Sequence, residues 1–597
     1  MSSDPAREYR ARLADRQAAE LDLARREQIF SYARLGTFAA AGVLAVLWLR
    51  GAAPGWWLAA PALAFALLMH RHDRVIRELR TARQSIVFYQ RGLGRIEDRW
   101  AGQGEPGEQF LDDHHLYAND LDLFGRGSLF ELLSIARTRA GEAQLAEWLK
   151  TPASADGVRE RQETVTELTP ALDLREALAI AGADVAATGI DTDVIIGWAE
   201  RAPVLGARWL RGMATGLTVC AVTAAAWMGI TGNYAYLVAV LLLEAAFAIP
   251  QRSRVLRALH AADAPARDLD VLAHVLDRLE GEEFTSARLT LLSRQLGTSD
   301  VPASVAIRRL HRLVELHDWQ HNQFFAPVAA ALLWGTHLAW AIEAWQRRHG
   351  REVRTWLYTV GEFEALSSLS AYRFEHPADV WPEIVTDGAG FDGVGLGHPL
   401  LPAARMVRND VRLWGDTRLL VVSGSNMSGK STLLRTVGVN AVLALAGAPV
   451  RAAALRITPL AIGATLRIQD SLQEGRSRFF AEITRIRDIS DTARGRVPLL
   501  FLLDELFHGT NSHDRLAGAS GTLRSLLEHG AIGMITTHDL ALTAVADGLS
   551  PRAINVHFED HFDNGEIQFD YRMKPGPVTR SNALALMRAV GLDVEET

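Results

Sequence analysis

A glycine-rich segment that fits the pattern G-x-x-x-x-G-K-[ST] is the clearest candidate for chemistry in this sequence. Its residues are Gly424, Ser425, Asn426, Met427, Ser428, Gly429, Lys430, Ser431 and Thr432. Such a loop, a P-loop, cradles phosphates with its backbone N–H groups, while its lysine reaches the β- and γ-phosphates and its serine hydroxyl binds Mg²⁺. The segment therefore predicts a nucleoside triphosphate site in which Lys430 is catalytic and Ser431 is a metal ligand.

Two carboxylates follow an apolar run farther along the chain. Residues 498–503 are apolar and are followed directly by Asp504 and Glu505. A run of this kind is typical of a strand buried on both faces of a parallel sheet, and ligands bind at the carboxyl ends of such strands. We expect Asp504 to hold Mg²⁺ and Glu505 to act as the general base or to orient the attacking water.

A third apolar run, residues 531–537, ends in His538. A lone histidine is more often structural than functional. A strand end beside the other two runs would nevertheless place this imidazole on the γ-phosphate side. We therefore expect His538 to be a catalytic sensor or polarising group.

A parallel sheet with flanking helices would position all of these residues. Residues 419–422 form an apolar run of strand length before the loop, and the apolar side chains after Leu433 have roughly helical spacing. A strand, a glycine-rich turn and a helix in this order aim a helix N-terminus at the phosphates. The sequence thus predicts an α/β P-loop domain of the ABC type at residues 387–597, with ATP and Mg²⁺ as its cofactors.

The C-terminal third resembles the ATPase domain of the MutS family of DNA mismatch-repair proteins. Segment 423–432 is similar to that family's P-loop, including its Asn-Met pair, and segment 536–538 is similar to its switch histidine. The resemblance implies that Asn426 contacts the nucleotide. It also implies that Ser477, in the signature-like segment 475–479, contacts the γ-phosphate of a nucleotide bound by the opposing subunit.

The resemblance covers roughly residues 120 to 595 and is most specific from residue 397 onward. The family's mismatch-recognition domain inserts a phenylalanine beside a glutamate. The most similar segment of this sequence, residues 88–90, has a glutamine instead. The resemblance therefore implies DNA as the ligand, as duplex or branched DNA rather than a mismatch. It also implies a homodimer that forms at least transiently through the ATPase domains. The chain ends without the family's C-terminal dimerisation tail, which weakens the expectation of a stable dimer.

Four apolar runs occur in two pairs, at residues 35–49 and 51–69 and at residues 212–230 and 234–250. A membrane-spanning helix needs about 20 apolar residues. Arginines bracket each pair, at Arg25, Arg26, Arg34, Arg71, Arg74, Arg77, Arg80, Arg201, Arg208, Arg211, Arg252, Arg254 and Arg257. Because positive charge favours the cytoplasmic side, we expect a multi-pass protein of the inner membrane whose other parts are cytoplasmic. The alternative is a set of core helices in a large α domain.

Two further features of these apolar regions are an acid within a span and a fifth apolar run. Glu244 is the one acid inside a predicted span, where it is either functional or satisfied by a partner. A fifth apolar run, 324–344, contains His337 and Glu343 and lies between polar helical stretches. We interpret this fifth run as a buried soluble helix.

The predicted fold class is multidomain, with an α-helical core that carries two transmembrane hairpins, followed by the α/β ATPase domain. The expected boundaries are 1–34 for a polar cytosolic helix, 35–69 for hairpin 1, 70–211 for a linker and the first part of a MutS-like core, 212–250 for hairpin 2, 251–386 for the rest of the core and 387–597 for the ATPase domain. A net charge of −7 excludes an overall basic surface, and a single cysteine, Cys220, fits a reducing compartment.

The expected function is an ATP-driven clamp cycle on DNA at the membrane. One alternative is a membrane scaffold whose ATPase cycle clamps a protein partner. Another is a transporter-type ATPase, although four short spans with almost no ionisable groups would make a poor transport pathway. A pair of histidines at 114–115 beside two aspartates suggests a solvated loop rather than a metal site, because no second ligand group follows at metal spacing.

Overall fold

The computed structural model describes residues 4–188, 192–206, 209–297, 301–323, 325–425, 427–467, 478–507, 511–563 and 566–578. Up to residue 375 the described secondary structure is helical. The helices are α1 (Pro5–Leu49), α2 (Ala59–Ile96), α3 (Leu129–Leu133), α4 (Arg139–Lys150), α5 (Ala155–Leu168), α6 (Leu172–Thr188), α7 (Thr192–Ala199), α8 (Trp209–Thr231), α9 (Ala235–Glu280), α10 (Ala287–Leu296), α11 (Ala303–Asp318), α12 (Ala326–Ala331) and α13 (Trp334–Glu375).

The rest of the described chain mixes strands and helices, so a helical N-terminal region is followed by an α/β domain, as the sequence predicts. These elements are β1 (Glu383–Ile384), β2 (Phe391–Leu396), β3 (Asn409–Leu413), β4 (Leu419–Ser423), α14 (Lys430–Ala446), β5 (Ala454–Ile457), β6 (Ala461–Thr465), α15 (Arg478–Ala493), β7 (Leu499–Leu503), α16 (Ser512–Glu528), β8 (Ile532–Thr537), α17 (Leu540–Gly548), β9 (Ala553–Asp563) and β10 (Glu566–Pro575).

A six-stranded sheet of order β10-β9-β4-β8-β7-β6 forms the centre of the α/β domain. Its strands are parallel except β10, which pairs antiparallel with β9. Every residue of β4, β7 and β8 is buried, which explains why these strands read as continuous apolar runs. Because β4, β8 and β7 are parallel neighbours, their carboxyl ends meet at one edge of the sheet.

Helices cover both faces of this sheet. Residues of α15, α16 and α17 share one hydrophobic cluster with residues of β4, β7 and β8. Helix α14 contacts β7 and β8 as well as β2, and from Leu433 onward it is almost entirely buried. A smaller sheet of order β1-β5-β2-β3 contributes the rest of the strand pairing in this domain.

The chain divides into two compact units. Unit 1 comprises Met1–Ser134, Leu145–Pro170 and Ser368–Thr597, and unit 2 comprises Ile135–Gln144 and Ala171–Ser367. Unit 1 thus contains α1, α2 and the α/β domain, whereas unit 2 contains α8, α9 and most of the other helices.

Two pairs of adjacent helices correspond to the paired apolar runs. Helix α1 packs along α2, and α8 packs along α9; we call these pairs hairpin 1 and hairpin 2. Three of the described helices, α1, α8 and α9, are long and apolar enough to cross a membrane. In each of them we define the apolar window as its 18-residue apolar stretch; 0%, 11% and 11% of these windows, respectively, are buried. The run 51–69 begins with a turn and a short 3-10 helix, so only the first turns of α2 are apolar.

The apolar run 324–344 is not the single buried helix that the sequence predicts. It contains the short helix α12, a break at Leu332 and Leu333, and the start of α13. Leu333 has a φ of 47°, which ends one helix before the next begins. The prediction is therefore wrong for the first part of the run, where Val328 is 48% exposed, and confirmed for the second part, where Trp340 and Ile342 are buried.

Candidate nucleotide-binding site

The glycine-rich loop connects the carboxyl end of β4 to the first residue of α14. Three of its described residues have a positive φ: Gly424 (147°), Met427 (68°) and Gly429 (102°). A Cβ on Gly424 would lie 3.0 Å from both the Ser428 hydroxyl and the Phe558 carbonyl oxygen, so the loop curls too tightly for a larger residue there. This curl points the N-terminus of α14 into the loop, as an anion site requires.

The Lys430 ammonium group lies inside the curl of the loop. Its Nζ donates to the carbonyl oxygens of Gly424 at 2.9 Å and Ser425 at 2.7 Å. Burial lowers the pKa of Lys430, and the Glu505 and Asp504 carboxylates oppose that shift. The structure therefore places a largely buried cation at the bottom of the loop, next to two acids.

Asp504 follows β7 and is the centre of the hydrogen-bond network at the sheet edge. Its Oδ2 accepts a hydrogen bond from the Ser431 hydroxyl at 2.6 Å, and its Oδ1 accepts one from the Thr536 hydroxyl. The Thr536 oxygen in turn accepts the backbone N–H of Glu505 at 3.1 Å. The three predicted strand ends thus meet at one carboxylate.

Glu505 and His538 form the outer part of the site. The Glu505 Oε1 lies 3.5 Å from the His538 Nδ1, and both side chains are partly exposed. Glu505 has a φ of 47°, a left-handed conformation that non-glycine residues seldom adopt. The structure therefore brings together Lys430, Asp504, Glu505 and His538, as the sequence predicts.

Four further residues are predicted to contact the nucleotide: Asn426, Met427, Thr432 and Ser477. Asn426 and Ser477 lie outside the described residues. Met427 is 84% exposed, and Thr432 is exposed in the first turn of α14. Met427 and Thr432 therefore contribute backbone groups, rather than side chains, to the loop.

The polar atoms of the loop fit a triphosphate with Mg²⁺. Within the described part of the chain, the hydroxyl oxygens of Ser425 and Ser428 are buried and have no hydrogen-bond partner. Buried hydroxyl groups normally have a partner, because an unsatisfied one costs free energy. A hydroxyl and a carboxylate, on Ser431 and Asp504, are oxygen ligands of the kind that Mg²⁺ prefers.

Asp120 is a site residue that the sequence reasoning missed. Its Oδ1 accepts the backbone N–H groups of Leu466 at 2.6 Å and Arg467 at 2.8 Å, and its Oδ2 accepts from Arg485 at 3.2 Å. Leu466 and Arg467 follow β6 directly. Asp120 thus fixes the chain where it leaves the sheet towards the segment that contains Ser477. The sequence gives no local signal for this role, because Asp120 is far from these partners along the chain.

Tyr571 is a second residue that the sequence reasoning missed. A Cβ on Gly429 would lie 3.1 Å from its ring, so the ring borders the glycine-rich loop. Asn409 holds this part of β10: its side-chain amide donates to the Tyr571 carbonyl at 3.0 Å and accepts from the Met573 N–H at 2.8 Å. Tyr571, which is 43% exposed, is therefore an aromatic neighbour of the phosphate end of the loop.

Comparison with known proteins agrees with this geometry. Residues 420–595, which span β4 to beyond β10, match the family model described as MutS domain V. The C-terminal part of the chain is a MutS-type domain V. Domain V carries the ATPase region of MutS-family members. The sheet edge at which Asp504 lies is therefore within the region expected to have that activity.

Curated relatives match the same part of the chain. The DNA mismatch repair protein MutS 2 of Halobacterium salinarum is 35% identical over 238 residues, which are 38% of this chain and 26% of that protein. The endonuclease MutS2 of Thermus thermophilus is 35% identical over 206 residues, 33% of this chain and 26% of that protein. The DNA mismatch repair protein MutS 2 of Haloarcula marismortui is 37% identical over 202 residues, 33% of this chain and 21% of that protein. The chain therefore spans only about a quarter of the length of these relatives.

Proposed function

We propose that this protein is a membrane-anchored P-loop ATPase that binds and hydrolyses ATP with Mg²⁺ and uses the cycle to clamp DNA. The observation that carries the enzymatic part is the Asp504 carboxylate, bonded to Ser431 of the loop and Thr536 of the next strand. Lys430 lies at the bottom of the same loop. This is the set of groups that a phosphoryl-transfer site needs.

Each residue has a distinct role in the proposed reaction. Ser431 and Asp504 would hold Mg²⁺, which would neutralise charge on the phosphates. Lys430 would exchange its two loop carbonyls for phosphate oxygens. Glu505 would orient the attacking water and accept its proton, and His538, whose Nδ1 lies 3.5 Å from that carboxylate, would act as the sensor or polarising group on the γ-phosphate side.

Membrane anchoring through hairpins 1 and 2 is part of the same proposal. The apolar windows of α1, α8 and α9 are almost fully exposed within the structure, which is unfavourable in water and favourable in lipid. Arginines outside the apolar runs and their near absence within the hairpin turns support a cytoplasmic location for the ATPase domain. On this proposal the protein is multi-pass in the inner membrane.

The ATPase assignment is tested by replacing Lys430. In Lys430→Ala the cation at the bottom of the loop is lost, so we expect ATP turnover by the purified full-length protein to fall at least about 100-fold, as for the loss of a main electrostatic stabiliser. Lys150→Ala, which changes a lysine at the end of α4, is the matched control and should retain wild-type turnover. Unchanged turnover in Lys430→Ala would remove the site assignment.

The DNA assignment rests on the relatives named for mismatch repair and on the MutS-type domain V of the chain. Binding through phosphates releases counterions, so the affinity should fall steeply with rising salt. We expect the full-length protein in detergent to bind duplex or branched DNA in an ATP-dependent manner, measured by electrophoretic mobility shift on homoduplex, mismatch and junction substrates. Absence of binding at low salt would contradict a DNA clamp and favour a protein partner.

A further inference from the structure

The segment between α11 and α13 has a composition unlike the rest of unit 2. No Asp, Glu, Lys or Arg occurs between Asp318 and Glu343. The segment includes a short 3-10 helix, Trp319–His321, and the helix α12. Trp319 is 62% exposed and Val328 is 48% exposed. A charge-free segment with exposed large apolar side chains is unusual on a water-facing surface.

One side of this segment packs on hairpin 2. Leu333 belongs to a small hydrophobic cluster with Ala214 of α8 and Phe247 of α9. The Thr218 hydroxyl lies 3.3 Å from the Leu332 carbonyl oxygen and 3.0 Å from the His337 Nε2. The helix break therefore packs against α8 and α9, directly after α12.

Several backbone groups of the break have partners within the protein. The Val328 carbonyl accepts the Leu332 N–H at 3.0 Å, and the Ala330 carbonyl accepts the Leu333 N–H at 3.2 Å. The Leu333 carbonyl accepts the His337 N–H at 3.0 Å. The single Thr218 hydroxyl proton can go to the Ala214 carbonyl at 3.0 Å or to the Leu332 carbonyl at 3.3 Å. Irregular backbone is tolerated at membrane depth only where its polar groups find such partners, and these groups of the break meet that requirement.

The contact with Thr218 also indicates how deep the break at Leu332 and Leu333 would lie in a bilayer spanned by hairpin 2. Thr218 lies seven residues beyond Arg211, the last arginine before the apolar run of α8. At 1.5 Å per residue this is about 10 Å along the helix, against a hydrocarbon half-thickness of about 15 Å. If hairpin 2 spans the bilayer, the break at Leu332 and Leu333 cannot lie in water.

We propose that residues 319–323 and 325–333 form a third membrane-contacting element, which enters the cytoplasmic leaflet beside hairpin 2 and returns to the cytoplasm along α13. The proposal rests on the membrane anchoring of hairpin 2. Its occupant is the lipid bilayer, because the segment has exposed apolar side chains and no charged residue, and because it packs through Leu333 on α8 and α9, whose apolar windows are almost fully exposed. Trp319, at the polar end of the segment, has the side chain that favours the membrane–water interface.

The single cysteine of the chain allows a direct test. Cys220 is exposed on α8, so the wild-type protein can be labelled there with the fluorophore NBD. The full-length protein is also labelled at Val328→Cys, Ala330→Cys and Tyr358→Cys, each combined with Cys220→Ser. Tyr358 is 54% exposed on α13 and lies about 36 Å along the helix from Trp334, so it is the aqueous control. Each protein is reconstituted into phosphatidylcholine vesicles with and without doxyl-labelled lipid, which quenches only fluorophores in contact with acyl chains.

We expect doxyl lipid to reduce the fluorescence at Val328 and Ala330 to a similar extent as at Cys220, and to leave Tyr358 unchanged. Quenching at Cys220 with none at Val328 and Ala330 would overturn the third element and leave the anchoring of hairpin 2 in place. A blue-shifted but unquenched signal at Val328 would mean that protein, such as a second copy, covers the segment, and would also overturn the proposal. No quenching at Cys220 would instead contradict the membrane anchoring itself.

Discussion

The hydroxyl of Thr536 connects the two acids of the nucleotide site. It donates to the Asp504 Oδ1 and accepts the Glu505 N–H at 3.1 Å, and the side chain is fully buried. One oxygen therefore fixes both the orientation of the proposed metal ligand and the backbone of the proposed base. Because Glu505 has a positive φ, its backbone needs such a fixed contact to keep this conformation.

Thr536→Val should separate catalysis from nucleotide binding. The variant keeps the shape of the side chain but removes the hydrogen bonds, and a hydrogen bond to a charged group is worth about 1.5–3 kcal/mol. We expect kcat for ATP to fall about 10- to 100-fold and the affinity for a non-hydrolysable ATP analogue to change much less. Thr536→Ser restores the hydroxyl and should recover most of the turnover. Equal losses of kcat in the valine and serine variants would contradict the bridging role.

The base of hairpin 1 is attached to the end of α13 by a buried ion pair within unit 1. Arg95, at the end of α2, donates from Nε and Nη2 to the two oxygens of Glu375, each at 2.6 Å. The Tyr9 hydroxyl, from the start of α1, donates to the same carboxylate at 3.1 Å. A Cβ on Gly92 would clash with the Tyr9 ring, so the two helices approach closely here. Side chains from both helices of hairpin 1 therefore bind the Glu375 carboxylate.

The same region continues to the glycine-rich loop through buried polar contacts. Shortly after Glu375, the Asp379 carboxylate pairs with the Arg451 guanidinium at 2.9 Å. The Arg451 N–H donates to the Asn440 Oδ1 at 2.8 Å, and Asn440 lies on α14, the helix that begins with Lys430. Hairpin 1 and the helix of the nucleotide site are thus parts of one continuously packed region.

The buried pair at Arg95 and Glu375 predicts a double-mutant pattern. Loss of one partner leaves a buried charge unpaired, so Glu375→Gln should destabilise the docking of hairpin 1 by about 3–5 kcal/mol. Combining it with Arg95→Met removes that charge and should recover part of the loss. The exposed pair of Arg83 and Glu20 is the matched control, and Arg83→Ala should cost about 1 kcal/mol or less. Local hydrogen exchange of the peptides in α1 and α2 measures each effect; equal effects at both pairs would contradict the assigned role.

The first turn of α4 should have a pH-dependent stability that depends on Glu364. Burial raises the pKa of the Glu364 carboxyl to about 7, while hydrogen bonds from Thr138 and Arg137 oppose the shift. Between the ordinary value of 4.5 and this raised value, the folded state binds the proton more strongly than the unfolded state. The stabilisation is therefore complete below about pH 4.5 and is lost as the pH rises through about 7.

Hydrogen exchange of the peptide that covers the start of α4 measures this effect once it is corrected for the intrinsic exchange rate. In the wild type we expect the opening free energy of this peptide to fall between pH 5.5 and 8. In Glu364→Gln no proton is exchanged at this position, so this fall should disappear. The same pH dependence in both proteins would assign it to another group.

The sequence predicted the parts of the site that depend on local pattern. Lys430, Asp504 and His538 each follow a buried strand of the sheet or its loop, and parallel pairing brings such strand ends together. The roles of Asp120 and Thr536 could not be predicted, because they depend on which distant backbone groups the fold places beside them. The break at Leu333 was missed for another reason: the run is uniformly apolar, and periodicity alone does not show where an apolar helix is interrupted.

At the scale of the whole molecule, the family resemblance predicts that a second copy of the chain completes the proposed nucleotide site. Family resemblance assigns Ser477 to the nucleotide of the opposing subunit, whereas Lys430 acts on the nucleotide of its own subunit. Each site would therefore take its Lys430 from one subunit and its Ser477 from the other, so the two substitutions would damage a given site from different subunits. Ser477→Ala and Lys430→Ala, each alone, should have little ATP turnover.

A mixture of the two inactive variants distinguishes a composite site from a site within one chain. In a mixed dimer, one site combines an intact Lys430 from the Ser477→Ala chain with an intact Ser477 from the Lys430→Ala chain, and the other site carries both defects. Co-reconstitution at equal amounts should form mixed dimers in about half of the pairs, so about a quarter of all sites should be intact if pairing is random. Turnover should then recover to about a quarter of the wild-type value, and it should increase with the density of protein in the vesicles because association follows mass action. If the mixture stays as inactive as its components, Ser477 does not act across a dimer.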